Sequence, residues 1–296
     1  MIKFLLAALL CLVWGSTWLG IKIGLEDSPP FLSAGFRFVL SCAVLFALIR
    51  WKKLSLATGS RDWKNIIIPG LFAYFFSYGL VYWGEQHINS GLAAVLFSTL
   101  PFWVAIFAHL LLPNEKFNRV KLASLIIGFS GILLIFWDNL RISSSGQTVL
   151  GMLALLGSGA SAAYAGVRTK RDLHHVDPIV IAAQQMLVGM VLLLLAGFAV
   201  EDLHTFKITQ KSIGALLYLA IFGSALAFSV YFYLLKTTDA TKLSLIAFVT
   251  PIVALILGWL IMDEKATPHL LLGAGLVIVG IVLLVFWGRA EIPLED

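Results

Sequence analysis

The sequence predicts an all-α integral membrane protein of ten transmembrane helices, arranged as two inverted five-helix repeats. Three observations carry that expectation. The 296 residues are 60% hydrophobic and only 12% charged. Ten apolar runs are long enough to cross a bilayer, and the two halves of the chain resemble each other. A soluble domain is roughly 45–50% apolar and about 25% charged, so one soluble core cannot hide these side chains. With a mean hydropathy of +0.95, a soluble globule, a disordered tail and a nucleic-acid-binding domain are all excluded.

A hydrocarbon core about 30 Å thick takes about 20 helical residues to cross. Runs of that order cover approximately 4–25, 31–49, 66–84, 90–111, 121–137, 149–167, 178–200, 213–235, 241–262 and 269–287. They are continuous rather than alternating, and so read as helices, not barrel strands. Nothing is left over for a soluble domain. The first run starts like a secretory signal but continues to about Leu25 without a small-x-small cleavage site. It reads as an uncleaved span. Cys11 and Cys42 fall inside runs and make neither a disulfide framework nor a metal spacing, so they read as small core residues.

Orientation follows from the basic residues of the loops. With Lys3 placed in the cytoplasm, the inside positions are Lys3, Arg50, Lys52, Lys53, Arg61, Lys64, Lys116, Arg119, Lys121, Arg168, Lys170, Arg171, Lys236, Lys242 and Arg289. That is 15 of the 21 Lys and Arg. Only Arg141, Lys207, Lys211 and Lys265 fall outside, while Lys22 and Arg37 lie within spans. Both termini are expected in the cytoplasm. The net charge of +5 is then an orientation signal, not a nucleic-acid surface.

The halves match at an offset of about 150 residues. Asn114-Glu115-Lys116 after the fourth run matches Asp263-Glu264-Lys265 after the ninth. Pro101 matches Pro251, Pro30 matches Pro178, and Trp18 and Lys22 fall opposite Tyr164 and Arg168. Gly131-Ile132 with Phe136-Trp137 matches Gly280-Ile281 with Phe286-Trp287. Repeats of five spans over 1–140 and 141–296 are therefore inverted, because five is odd. Such halves have two arrangements of similar energy, the basis of alternating access.

Trp14-Gly15-Ser16-Thr17, the stretch from Pro29-Pro30-Phe31 to Phe36-Arg37-Phe38, and the paired Glu-Lys turns carry a family resemblance over essentially the whole chain. The chain resembles the drug/metabolite transporter superfamily, and within it the ten-span EamA type. That resemblance implies a bacterial inner-membrane permease, often an exporter of amino acids or similar metabolites, with a central cavity between the halves.

Several residues stand out as candidates for lining that cavity. Pro101 and Pro251 lie near mid-span and would free the carbonyls of Phe97 and Ala247; being repeat-related they read as hinge or cavity-lining residues, with simple kinks as the alternative. Tyr74, Tyr78 and Tyr82 share one helical face, and hydroxyls in hydrocarbon need partners. Tyr78 and Tyr82 are the stronger pair. Trp14, Thr17, Trp18, Trp103 and Tyr164 add amphipathic surface, with helix packing as the alternative for each tryptophan. Arg37 sits about 9 Å inside its span, where a charge normally faces the bundle interior. It reads equally as a substrate contact or as half of an ion pair with Glu26, Asp27 or Glu85, and Gln184 or Gln185 is its repeat counterpart. Lys22 is expected to snorkel and pair with Glu26. His109, near a span end, reads as an interfacial residue.

No Asp or Glu lies in the middle third of a run; Glu85, at a run's outer end, comes closest. That disfavours export of cationic drugs through a mid-membrane carboxylate and favours a neutral or zwitterionic small-molecule substrate. No metal, nucleotide or nucleophile motif is present, and Gly157-Ser158-Gly159-Ala160-Ser161 suits helix packing. No cofactor is expected, and the expected partners are a small molecule and membrane lipid. A polytopic enzyme or a receptor is the alternative. Ser124, Gly128, Gly131, Gly273, Gly275 and Gly280 permit close helix contact within one chain or in a homodimer.

Overall fold

The computed structural model describes residues 2–56, 59–112, 118–142, 146–237, 246–265 and 267–287. All regular structure among them is helical. The helices are α1 (Ile2–Leu25), α2 (Pro30–Trp51), α3 (Ser60–Gly70), α4 (Ser77–Glu85), α5 (Ser90–Phe97), α6 (Leu100–Leu111) and α7 (Arg119–Ile142) in the first half. The second half holds α8 (Gly146–Asp172), α9 (Pro178–Val200), α10 (Gln210–Ala220), α11 (Ala227–Thr237), α12 (Ile246–Met262) and α13 (Pro268–Trp287). Among the described residues seven segments are long and apolar enough to cross a membrane, and Val249–Met262 and Pro268–Leu284 are shorter apolar helices. The chain is a multi-pass membrane protein.

Helix ends follow local chemistry. Pro30 and Pro178 open α2 and α9 at the first turn, where proline's missing N–H costs nothing. Lys53 closes α2 at φ 54°, and Leu54 N–H returns to Ile49 O at 3.0 Å. Asp263 closes α12 in the same way at φ 51°, with Glu264 N–H on Gly258 O at 3.1 Å. Asp and Asn tolerate this left-handed conformation best among residues with a side chain. That accounts for Asp263 in the repeated tripeptide. Its counterpart, Asn114-Glu115-Lys116, lies outside the described residues, as do residues 241–245 at the start of the ninth run.

Two spans depart from the regular helix. Leu71–Phe76 joins α3 to α4 as a π-helical segment, and Ile221–Leu226 joins α10 to α11 in the same way. The two segments begin and end at residues 150 positions apart. Hydrophobic period does not report such a segment, because these spans are apolar nearly all round and have little period for an extra residue to shift. The fourth span is divided. Its two helices meet at Ser98 and Thr99, whose hydroxyls return to Val95 O and Leu96 O at 2.7 Å each.

Packing between halves places the site. Helix α2 lies along α9, α1 along α12 and α10, and α8 along α4 and α6. Helices α7 and α13 pack together, and there the small residues are used within the chain. A Cβ on Gly131 would stand 2.5 Å from Gly273 O, and one on Gly280 2.7 Å from Ser124 O. Gly275 has open space. The close approach that these residues permit is thus taken up inside one protomer, apart from Gly275.

Candidate functional site: a buried arginine between the halves

The π segments carry a chemical consequence, because i→i+5 bonding leaves backbone carbonyls for other donors. Ser161 of α8 donates its hydroxyl to Phe72 O at 2.7 Å. Ser41 of α2 donates to Ala220 O at 3.0 Å, and Arg37 Nη2 donates to Gly223 O at 3.2 Å. Each π segment is therefore held by polar side chains of the opposite half. A Cβ on Gly223 would stand 2.7 Å from Thr17 Cγ2 and 3.2 Å from Arg37 Nη2, so only glycine admits both neighbours here.

Arg37 is 1% exposed. Its Nε donates to Ser224 Oγ at 2.7 Å and its Nη1 to Tyr82 Oη at 3.3 Å. The guanidinium also lies 5.0 Å from the Tyr78 ring centroid and 5.8 Å from that of Phe38. Every one of these partners is neutral. Among the described residues no carboxylate comes within ion-pair distance of it, so the expected pair with Glu26, Asp27 or Glu85 does not form. Glu26 instead lies 3.5 Å from Lys211, and Asp27 accepts from the Thr209 hydroxyl and from Lys207 N–H at 2.7 Å. A buried cation held only by neutral groups keeps its charge available to an anionic ligand.

An aromatic wall surrounds this charge. Tyr74 stacks on Tyr78 at 6.0 Å, and Phe38 meets both edge-on. Phe228 of α11 meets Tyr74 at 5.1 Å and Trp14 at 5.6 Å, while Trp14 also meets Tyr231 at 5.2 Å. Tyr74 is fully buried, yet its hydroxyl has no hydrogen-bond partner. Among the polar atoms around Arg37, it is one that a substrate can engage.

Of the residues singled out from sequence, Trp14, Thr17, Arg37, Tyr78 and Tyr82 gather here. Trp18 is buried against Phe97 at 5.2 Å, one turn further along α1. Trp103 and Tyr164 belong to other aromatic groups, Trp103 with Phe129 and Tyr164 with Phe72 and Phe107. Gln185 is buried and donates to Thr169 Oγ1 at 2.9 Å. The two prolines are not equivalent: Pro101 opens α6, while Pro251 sits inside the continuous α12. Lys22 does not pair with Glu26; its Nζ donates to Glu85 O at 2.6 Å and Ile88 O at 2.7 Å. Sequence reasoning missed Ser224 and Gly223. The signal was available, since Ser224 stands 150 positions after Tyr74.

An all-helical membrane bundle with a polar centre between two packed halves defines a transporter class of fold. A family model described as the EamA-like transporter family matches the chain twice, over residues 1–137 and 149–286. The chain belongs to that family, and its members are transporters rather than enzymes. It is 32% identical over 288 residues to the uncharacterized transporter YoaV of Bacillus subtilis, covering 97% of this chain and 98% of that protein. It is 31% identical to the uncharacterized inner membrane transporter YedA of Escherichia coli K12, over 93% of this chain and 87% of that one. A WAT1-related chloroplastic protein of Arabidopsis thaliana is 30% identical over 92% of this chain and 67% of its own. A solved crystal structure with a TM-score of 0.72 and 19% identity covers 97% of this chain and 99% of that one, which shows the same fold.

Proposed function

We propose that this protein is a secondary transporter that exports small neutral or zwitterionic metabolites, amino acids among them, by alternating access between two inverted repeats, 1–140 and 141–296. It lies in the inner membrane with both termini in the cytoplasm. The observation that carries the reading is Arg37, a first-half cation bound across the interface to Ser224 and Gly223 of the second half. Binding a carboxylate there draws the guanidinium from its neutral acceptors, two of which, Ser224 and Gly223, are among the contacts that tie the halves together. Substrate recognition and loosening of the interface are then one event. The unpartnered Tyr74 hydroxyl supplies a second polar contact.

Counterflow in proteoliposomes across amino acids, amines, purines and sugars tests this reading. Carboxylate-bearing compounds are expected to exchange, and Arg37→Gln to cut their flux at least about tenfold at normal membrane abundance, since charge-assisted hydrogen bonds contribute about 1.5–3 kcal/mol. Equal flux in Arg37→Gln, or exchange confined to amines, overturns the role of Arg37.

A further inference from the structure

One buried acid takes no part in the arrangement just described. Glu85 ends α4 at the bundle end that is poor in Lys and Arg, and it is 0% exposed. Neither of its carboxylate oxygens has a hydrogen-bond partner. Among the described residues, every neighbouring charge is engaged elsewhere. Lys22 Nζ, from α1, is on two backbone carbonyls, one of them Glu85's own. Arg37, from α2, is on Ser224, Gly223 and Tyr82. Glu264, after α12, accepts from Ser90 N–H at 2.8 Å, Ser90 Oγ at 2.9 Å and Gly91 N–H at 3.1 Å. Lys22, Glu264 and Arg37 are the charges that act on the Glu85 carboxyl, with the Tyr82 phenol on its own helix. On the α8 side, next to Glu85, Gly84 is met by Gly151, Ala154 and Leu155.

An ionised carboxylate without a hydrogen bond is costly to bury, and at a helix C-terminus it also meets the negative end of the dipole. A neutral acid suffers neither cost. The same end of the bundle is closed by contacts between the halves. Glu201 accepts from Phe31 N–H at 2.6 Å and Leu32 N–H at 2.9 Å, Glu264 holds the start of α5, and Asp27 meets Thr209. A charge on Glu85 is thus tolerated only when that end opens, so that water reaches the carboxyl and Lys22 gives up its two carbonyls for it.

We infer that Glu85 is a proton-binding site coupled to this gate, carrying a proton when the halves are closed and releasing it on opening. The reaction balances simply. The Glu85 O–H bond breaks as the gate opens and the proton passes to water on that side. Lys22 leaves the two carbonyls and pairs with the new carboxylate, and closure reverses each step. The inference rests on the proposed two-state cycle but requires no knowledge of the substrate.

The test uses the full chain in lipid nanodiscs with Cys11→Ala and Cys42→Ala, and spin labels at the exposed positions Gln86 and Gln210. Label distances are read by pulsed electron resonance from pH 5 to pH 9. Acid is expected to enrich the closed population, and one proton changes the closed-to-open ratio by at most about tenfold per pH unit. Glu85→Gln, which mimics the protonated acid, is expected to stay closed at every pH. Glu264→Gln is expected to keep a pH response. In parallel, the infrared spectrum of the unlabelled protein is expected to contain a carboxylic C=O band that disappears as pH rises. A pH response retained in Glu85→Gln overturns Glu85 as the site while leaving the two-state cycle intact. A parent protein that never leaves the closed population counts against the cycle itself. Absence of the carboxylic band in the parent protein overturns the proposal even if Glu85→Gln fails to fold.

Discussion

Arg37, Tyr82 and Gly223 illustrate how single residues set this interface. Arg37 is buried without a counter-charge, so its three neutral acceptors carry its desolvation. Removing one of them, by Tyr82→Phe, is expected to leave abundance within about twofold and reduce counterflow several-fold, since one hydrogen bond contributes about 1–3 kcal/mol at a charged group. Loss of abundance in step with flux would mark Tyr82 as a packing residue instead. Gly223→Ala acts differently. Its methyl would meet Thr17 Cγ2 at 2.7 Å, and overpacking costs about 1–3 kcal/mol. A melting temperature lowered by several degrees, with the remaining folded fraction still closed around Arg37, is the expected outcome.

Among the elements, the prolines repay attention because their sequence symmetry is not matched by their settings. Pro101 lies in the first turn of α6, after a break that Ser98 and Thr99 cap with their own hydroxyls. Proline suits that position, and Pro101→Ala is expected to change stability by less than about 0.5 kcal/mol. Pro251 interrupts the ladder of a continuous helix packed on α1, so Pro251→Ala restores a hydrogen bond and straightens α12. Labelling of a cysteine at Ile88, 4% exposed, is expected to shift in Pro251→Ala and to stay unchanged in Pro101→Ala. Shifts in opposite directions in the two variants would instead support a symmetric pair of hinges, because the inversion maps an inner gate in one half onto an outer gate in the other.

For the whole molecule, the proposed orientation makes a direct prediction. A cysteine at Gln147 is expected to react with an impermeant maleimide from outside intact cells, and one at Lys170 only after the membrane is opened. Both positions are exposed, so reactivity reports sidedness and not burial. The reverse pattern would overturn the orientation, and with it the assignment of the closed end to the outside. The substrate is then expected to enter from the cytoplasm, at the end of the bundle opposite Glu264.

Hydropathy and length alone were enough for the helices, their approximate limits and the membrane environment, because a bilayer demands about 20 apolar residues per crossing whatever the neighbours are. The matched prolines and the Asn/Asp-Glu-Lys tripeptide pointed to the repeat before any packing was known. Arg37, Tyr78 and Tyr82 were legible for the same reason: polar groups in an apolar run must find interior partners. Which partners they find was not legible. Gly223 and Ser224 reach the site from one π segment and Phe228 from the turn after it, and a span that is apolar nearly all round has little hydrophobic period in which an extra residue could show. The tertiary structure also decided the fate of Glu85. Its position at a run's end offered it as a partner for Arg37, yet with α1, α5 and the Glu264 turn packed around it the carboxyl is buried without a hydrogen bond. Burial is a property of the neighbours that long-range packing supplies, and those neighbours lie up to 179 positions away in the sequence.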